Sequence, residues 1–150
     1  MKFGINIAPS WDSWKLVKRA EDLGFDYASF IDSQLINADM FVCMTAAAMK
    51  TDRIHLGTGV IIPSNRLAPV AASAIASLNA IAGGRIHMGV GTGFTGRRTM
   101  GLGPIKLADM FDWIEVVEKL LAGKTVDAQI EGAKRTVRFM NPELELINIT

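Results

Sequence analysis

Cysteine is almost absent from this sequence: Cys43 stands alone among 150 residues. A single thiol excludes an internal disulfide framework and fits a reducing, cytoplasmic setting. Its neighbours Phe41, Val42 and Met44 predict a buried, inert group rather than a reactive one. Histidine is nearly as scarce, with His55 and His87 only. No His, Cys or carboxylate cluster has metal-ligand spacing, so no metal site is expected, and no Ser-His-Asp or Cys-His set can be assembled. Long apolar runs are missing too. None approaches the ~20 residues a membrane span needs, and Met1-Lys2-Phe3-Gly4-Ile5 carries no signal-peptide pattern. Charge of one sign is also lacking: 16 Lys and Arg meet 15 Asp and Glu, a net +1. Without a basic stripe interleaved with aromatics, nothing favours a nucleic-acid partner.

What remains is a globular composition, 49% apolar and 21% charged. Strand-length apolar runs recur from Phe3 to Ala8, Phe25 to Ile31, Ile54 to Ile62 and Ile86 to Gly91. They do not alternate cleanly, as expected of parallel strands covered on both faces. Helical periodicity fills the gaps. In the first gap Leu16, Ala20 and Leu23 share a face and Gly24 follows as a C′ residue. In the second, Asp39 is the expected N-cap of a helix through Met40, Met44, Ala47 and Ala48. The third runs from Pro69, at N1, to Ala82 and stops at Gly83-Gly84. The fourth runs from about Asp109 to Ala122, with Phe111, Ile114, Val117 and Leu121 on one face. Four successive βα units make the fold class α/β. The third helix has no charged residue, so both its sides need cover, and a homo-oligomer contact is expected there. After Gly123, Thr125 to Ile130 and Arg135 to Met140 read as a hairpin around Glu131-Gly132-Ala133-Lys134. The tail from Leu144 to Thr150 reads as a chain stopping before its next element.

Ligands of parallel α/β folds bind at the C-terminal ends of strands, which here are Ala8-Pro9-Ser10, Ile31-Asp32-Ser33-Gln34, Thr58-Gly59-Val60-Ile61 and Gly91-Thr92-Gly93-Phe94. The run Gly91-Thr92-Gly93-Phe94-Thr95-Gly96 is a literal G-x-G-x-x-G, the turn of a dinucleotide-binding domain. Its context disagrees, because the residues from Arg97 to Pro104 read as loop and no acidic strand end follows. Arg97 and Arg98 either grip a phosphate or carboxylate, or are solvated loop charges, or pair with Asp109 or Asp112. Asp32, Ser33 and Gln34 either contact a ligand or close an Asx-type loop. His55 and His87, early in their strands, read as structural.

Several stretches resemble the luciferase-like monooxygenase family, whose members use FMN or coenzyme F420. Arg53-Ile54-His55-Leu56-Gly57-Thr58-Gly59-Val60 resembles the third strand and its bulge. The segment from Ala76 to Gly93 resembles the helix, turn and fourth strand that follow, and Leu120-Leu121-Ala122-Gly123-Lys124-Thr125-Val126 the entry to an insertion. The resemblance implies a (β/α)8 barrel, with residues 1–123 supplying about four βα units and 124–150 a hairpin insertion and tail. It implies an oxidoreductase moving hydride between F420 or FMN and a small organic substrate. Gly59, Val60 and Ile61 match the bulge, often with a non-prolyl cis peptide, that backs the ring. Asp32, Gln34, Thr92 and Gly93 match cofactor-lining positions. Sugar-phosphate dehydrogenases of the family carry a His after the second strand and a Glu after G-T-G; Ser33 or Gln34 and Phe94 stand there, so no catalytic acid or base carries over. The family's phosphate site comes mainly from a C-terminal half beyond these four units, which leaves two expectations: a shortened enzyme, or an inactive half-barrel whose copies associate.

Overall fold

The computed structural model describes residues 1–141. Its order is β1 (Gly4–Ile7), α1 (Ser13–Asp22), β2 (Tyr27–Phe30), α2 (Met40–Ala48), β3 (His55–Ile61), α3 (Ala68–Ile81), β4 (Ile86–Val90), α4 (Phe94–Arg98), α5 (Leu107–Leu121), β5 (Val126–Ile130) and β6 (Ala133–Val137). The first four strands form one parallel sheet in chain order, β1-β2-β3-β4. Each helix packs beside the next, α1 on α2, α2 on α3 and α3 on α5. A sheet whose strands follow one another without reversal has no switch-point crevice. The dinucleotide-domain reading fails on that topology.

Register sorts the two faces. Ile5, Ala28, Leu56 and Ile86 lie level across the sheet, as do Ile7, Phe30, Thr58 and Met88. This is the helix-covered face, where Phe30, Leu56, Met44, Ile75 and Val117 are fully buried. The other face presents Gly4, Asn6, Tyr27, Ser29, His55, Gly57 and His87, half-buried or exposed. Alternation therefore exists, but glycine and polar residues take the place that apolar ones hold in a filled barrel.

Two helix faces match the periodicity only in part: Ala20 in α1 and Val117 and Leu121 in α5 are buried as expected, while other positions differ. In α1 the buried residues are Ser13, Val17, Ala20 and Glu21, while Leu16 and Leu23 are 56% and 60% exposed. The helix turns its carboxylate inward because Glu21 Oε1 accepts three backbone N–H groups, from Arg53 (2.7 Å), Ile54 (2.9 Å) and Asp52 (3.0 Å). In α5, which starts at Leu107, the buried residues include Trp113, Val116, Val117 and Leu120, while Phe111 is 61% exposed. Trp113 wins the inward position because its indole N–H donates to the Arg66 carbonyl at 3.0 Å.

Smaller expectations divide. Asp39 caps α2 through the Val42 N–H, Gly24 lies at φ +88 beyond α1, and Gly83 and Gly84 close α3 at positive φ. Cys43 is buried, and its thiol donates to the Ser10 carbonyl. Contrary to the loop expected after the glycine run, the short helix α4 starts within that run at Phe94 and takes in Arg97 and Arg98, with Gly101 beyond it at φ +74. The hairpin turn is Glu131-Gly132 alone, both at positive φ, as a two-residue connection requires. Ala133 and Lys134 thus belong to β6, which ends at Val137 instead of Met140. In α3, Val70, Ser73, Ser77 and Ile81 form the side turned away from this chain's core and are exposed. The tail expectation from Leu144 onward lies outside the described residues.

Candidate functional site

The C-terminal ends of β3 and β4 form a shelf that only glycine can build. Thr58 pairs with Met88 and Ile61 with Val90, so β3 carries one residue more than β4 between these pairs. That extra residue is a bulge, and the Gly59–Val60 peptide within it is cis. Thr58 fills the missing ladder position with its hydroxyl, which donates to the Gly89 carbonyl (2.8 Å) and accepts the Gly89 N–H (2.9 Å). A Cβ at Gly89 would lie 2.5 Å from the Thr58 carbonyl oxygen, one at Gly91 2.4 Å from Val60 Cγ2, and one at Gly59 2.8 Å from Ser29. Val60 is 39% exposed above this surface. Ile61 points its side chain into the core, fully buried, and offers the shelf only its backbone.

Beside the shelf, Asp32 organises the ends of β2 and β3. Its buried carboxylate accepts from the Ile62 N–H (3.1 Å), Asn65 Nδ2 (3.3 Å) and Arg66 Nη1 (3.2 Å). Arg66 also reaches Asp39 at 2.7 Å, so one guanidinium bridges two carboxylates. Gln34 donates to the Gly96 carbonyl (2.7 Å) and accepts from Asn65 Nδ2 (2.8 Å). Asp32 and Gln34 are thereby fixed by internal bonds, and a cleft of about 370 Å³ opens between them, Asp39, Asn65 and Arg66. Asn65 Oδ1 is buried there without a hydrogen-bond partner. An orphan acceptor normally costs free energy, about 1–3 kcal/mol, unless something donates to it.

The β4 end continues this wall. Gly93 takes φ +82 as it enters α4, and a Cβ there would meet Ile62 at 2.6 Å. Thr92 is half-buried, and its carbonyl accepts the Ile105 N–H at 3.0 Å. The two arginines separate in role. Arg97 is consumed internally, donating to the Gly103 carbonyl and to Ser64 Oγ. Arg98 stacks over the exposed Phe94 ring at 4.5 Å and makes no ion pair among the described residues. Neither pairs with Asp109 or Asp112.

Asn65, Arg66 and Ser64 are the site residues that sequence reasoning missed. All three stand in the loop after the third strand, where a strand-end survey stopped at Ile61. A second hollow of about 890 Å³ lies between α5, β5 and the start of α3, walled by Asp109, Asp112, Glu115, Lys119 and Lys124. It contains none of the expected residues. The shelf is the better site, because parallel strands deliver ligand groups at their C-terminal ends.

Known proteins resemble this chain in sequence and fold. A model of the luciferase-like monooxygenase family matches residues 12–146. The 5,10-methylenetetrahydromethanopterin reductase of Archaeoglobus fulgidus is 38% identical over 144 residues, 89% of this chain and 43% of that protein. The same-named protein of Methanolobus tindarius is 44% identical over 96 residues, 62% of this chain and 29% of that one. Among solved structures, the coenzyme F420-dependent tetrahydromethanopterin reductase of Methanopyrus kandleri superposes with a TM-score of 0.76 at 30% identity, covering 89% of this chain and 44% of that one. The chain thus spans less than half the length of these relatives. With the family model matching most of its residues and the parallel sheet shared with a solved member, this chain belongs to the luciferase-like monooxygenase family.

Proposed function

We propose that the chain forms the first four βα units of a barrel oxidoreductase, over residues 1–123, with a hairpin insertion and tail over 124–150. In this reading its strand ends hold coenzyme F420 for hydride exchange with a small organic substrate. The observation that carries the reading is the bulge at the end of β3, where Gly59, Gly89 and Gly91 pack backbone to backbone too closely for any Cβ and so present Val60 at the strand ends. The residues present fit such a group. Val60 gives an exposed apolar support, and Thr92 and Gly93 a wall beside it. F420 is placed ahead of FMN because the M. kandleri relative is described as F420-dependent.

When bound, such a ring supplies the hydride chemistry itself. The chain's part is to bind and orient. Asp32 and Gln34 hold the loops that shape the cleft, and Arg66 fixes Asp32 and Asp39 in place. Arg97 positions the loop after α4 against Ser64, which leaves Arg98 as the cation available to an anionic group. A methylene-bearing pterin is the first substrate class to try, given the names of the relatives. Self-association through the exposed Val70, Ser73, Ser77 and Ile81 of α3 belongs to the same proposal, as does a cytoplasmic location consistent with the free, buried Cys43.

Titration of the purified chain with F420 and with FMN, read by fluorescence, tests the proposal, with mass in solution recorded alongside. Saturable binding of F420 in preference to FMN is the expected outcome. Binding of neither, from a folded chain, would remove the cofactor claim. A discrete dimer without affinity would instead favour a self-associating half-barrel.

A further inference from the structure

The uncovered face of the sheet carries a second cluster, at the opposite end of the strands from the shelf. His55 on β3 and His87 on β4 project from adjacent parallel strands, one residue pair apart in register. Their facing nitrogens, His55 Nδ1 and His87 Nε2, lie 2.9 Å apart, with ring centroids at 4.8 Å. Tyr27 on β2 flanks both rings, at 5.3 Å and 5.4 Å. No carboxylate lies in ion-pair range of either imidazole, and neither ring makes another hydrogen bond, among the described residues. The pair is therefore not the usual buried histidine satisfied by a backbone carbonyl or an acid.

We infer that His55 Nδ1 and His87 Nε2 chelate one divalent first-row transition ion of tetragonal preference, with Ni²⁺ as the type ion. Imidazole nitrogens sit about 2.0–2.1 Å from such ions. Two of them at adjacent corners of a square or octahedral sphere are then about 2.9 Å apart, whereas a tetrahedral ion would separate them to about 3.3 Å. The observed 2.9 Å is the length of the hydrogen bond that joins the two rings, which the ion would replace, and it already equals the spacing of the former. Proton balance is simple. Each neutral imidazole keeps its single proton on the remote nitrogen, His55 Nε2 and His87 Nδ1, so ligation needs a tautomer shift but releases no proton. Water completes the sphere. Lys2 opposes the ion, because its ammonium donates to Tyr27 Oη at 3.2 Å, beside the pair. Its removal should tighten binding severalfold at low salt, with the gain shrinking as salt screens it.

The test uses the tag-free chain, stripped with chelator, titrated with Ni²⁺ by calorimetry and melted with and without the ion. One ion per chain and a raised Tm are expected, since a ligand that binds only the folded state stabilises it. H55A and H87A should each lose the saturable site, and K2Q should strengthen it. Because a variant could fail to fold, EPR of the unmodified chain with Cu²⁺, an ion of the same tetragonal preference, supplies a second reading, in which coupling to two imidazole nitrogens should appear at one equivalent. Absence of saturable binding, binding that survives H55A/H87A, or coupling to a single nitrogen would each overturn the assignment.

Discussion

At the N-terminal end of the strands two charged side chains gather the loose backbone groups of neighbouring segments, whereas at the C-terminal end one buried acceptor stays without a partner. The lower end is closed by two charged side chains. Glu21 gathers three N–H groups of the segment before β3. Arg85 donates to the carbonyls of Ala48, Thr51, Ile54 and Ala82 and to the Thr51 hydroxyl. The upper end shows the reverse, with glycines that let two strand ends approach too closely for any Cβ, an exposed Val60 and Phe94, and an acceptor on Asn65 that nothing fills. One end of a βα wall can be optimised for holding together only if the other is released to meet a ligand, and the family's ligands come to the upper end.

The sharpest way to break this contrast is at Glu21. Burial by itself would raise its pKa, but the N–H donors of Ile54, Arg53 and Asp52, with the Lys18 ammonium, outweigh it and hold the group at about 2, below its ordinary 4.5. A depressed carboxylate stabilises the fold above its unfolded pKa, and that stabilisation drains away as pH falls from 4.5 toward 2. The shift corresponds to roughly 3 kcal/mol. Urea unfolding of E21Q at neutral pH should show a loss of about that size, and the variant's acid limb should flatten between those pH values. An acid limb unchanged in E21Q would mean that other groups govern it.

R85K comes next. Replacing a five-donor fork by a single ammonium strands carbonyls at the ends of α2 and α3, for a loss of about 2 kcal/mol by denaturant midpoint. F420 affinity in either lower-end variant should stay within about twofold of the parent. At the upper end the signs exchange. G91A places a methyl on Val60 Cγ2, so cofactor affinity should fall about tenfold, equivalent to 1.4 kcal/mol, while stability changes by less. Because the colliding atom belongs to Val60, G91A/V60A should recover part of the binding. A double variant no better than G91A would place the damage in the backbone.

Much of the wall was legible in the sequence. The four apolar runs mark β1 to β4, and Asp39, Gly24 and Gly83-Gly84 mark helix ends, because these signals act within a few residues of the backbone they govern. Faces were harder. Leucine draws the eye to Leu16 and Leu23, yet the inward face of α1 is set by Glu21, whose partners lie about thirty residues away and cannot be read from helical spacing. Trp113 displaced Phe111 for the same reason, through a carbonyl 47 positions upstream. Within the candidate site the glycines and Asp32 were visible, because strand ends can be located. Arg66 was not, since its place is fixed only by the carboxylates of Asp32 and Asp39. The histidines were read one at a time, and only parallel pairing of β3 with β4 brings them together.

The guanidinium of Arg85 also has a kinetic consequence. It ties the last turns of α2 and α3 to the chain entering β3, so neither helix can fray without undoing the same set of bonds. The amides closing those turns, on Met49 and Lys50 and on Ala82, Gly83 and Gly84, should then exchange with deuterium as one cooperative class instead of as two independent helix ends. In R85K that single class should split, with the two helices opening at separate rates.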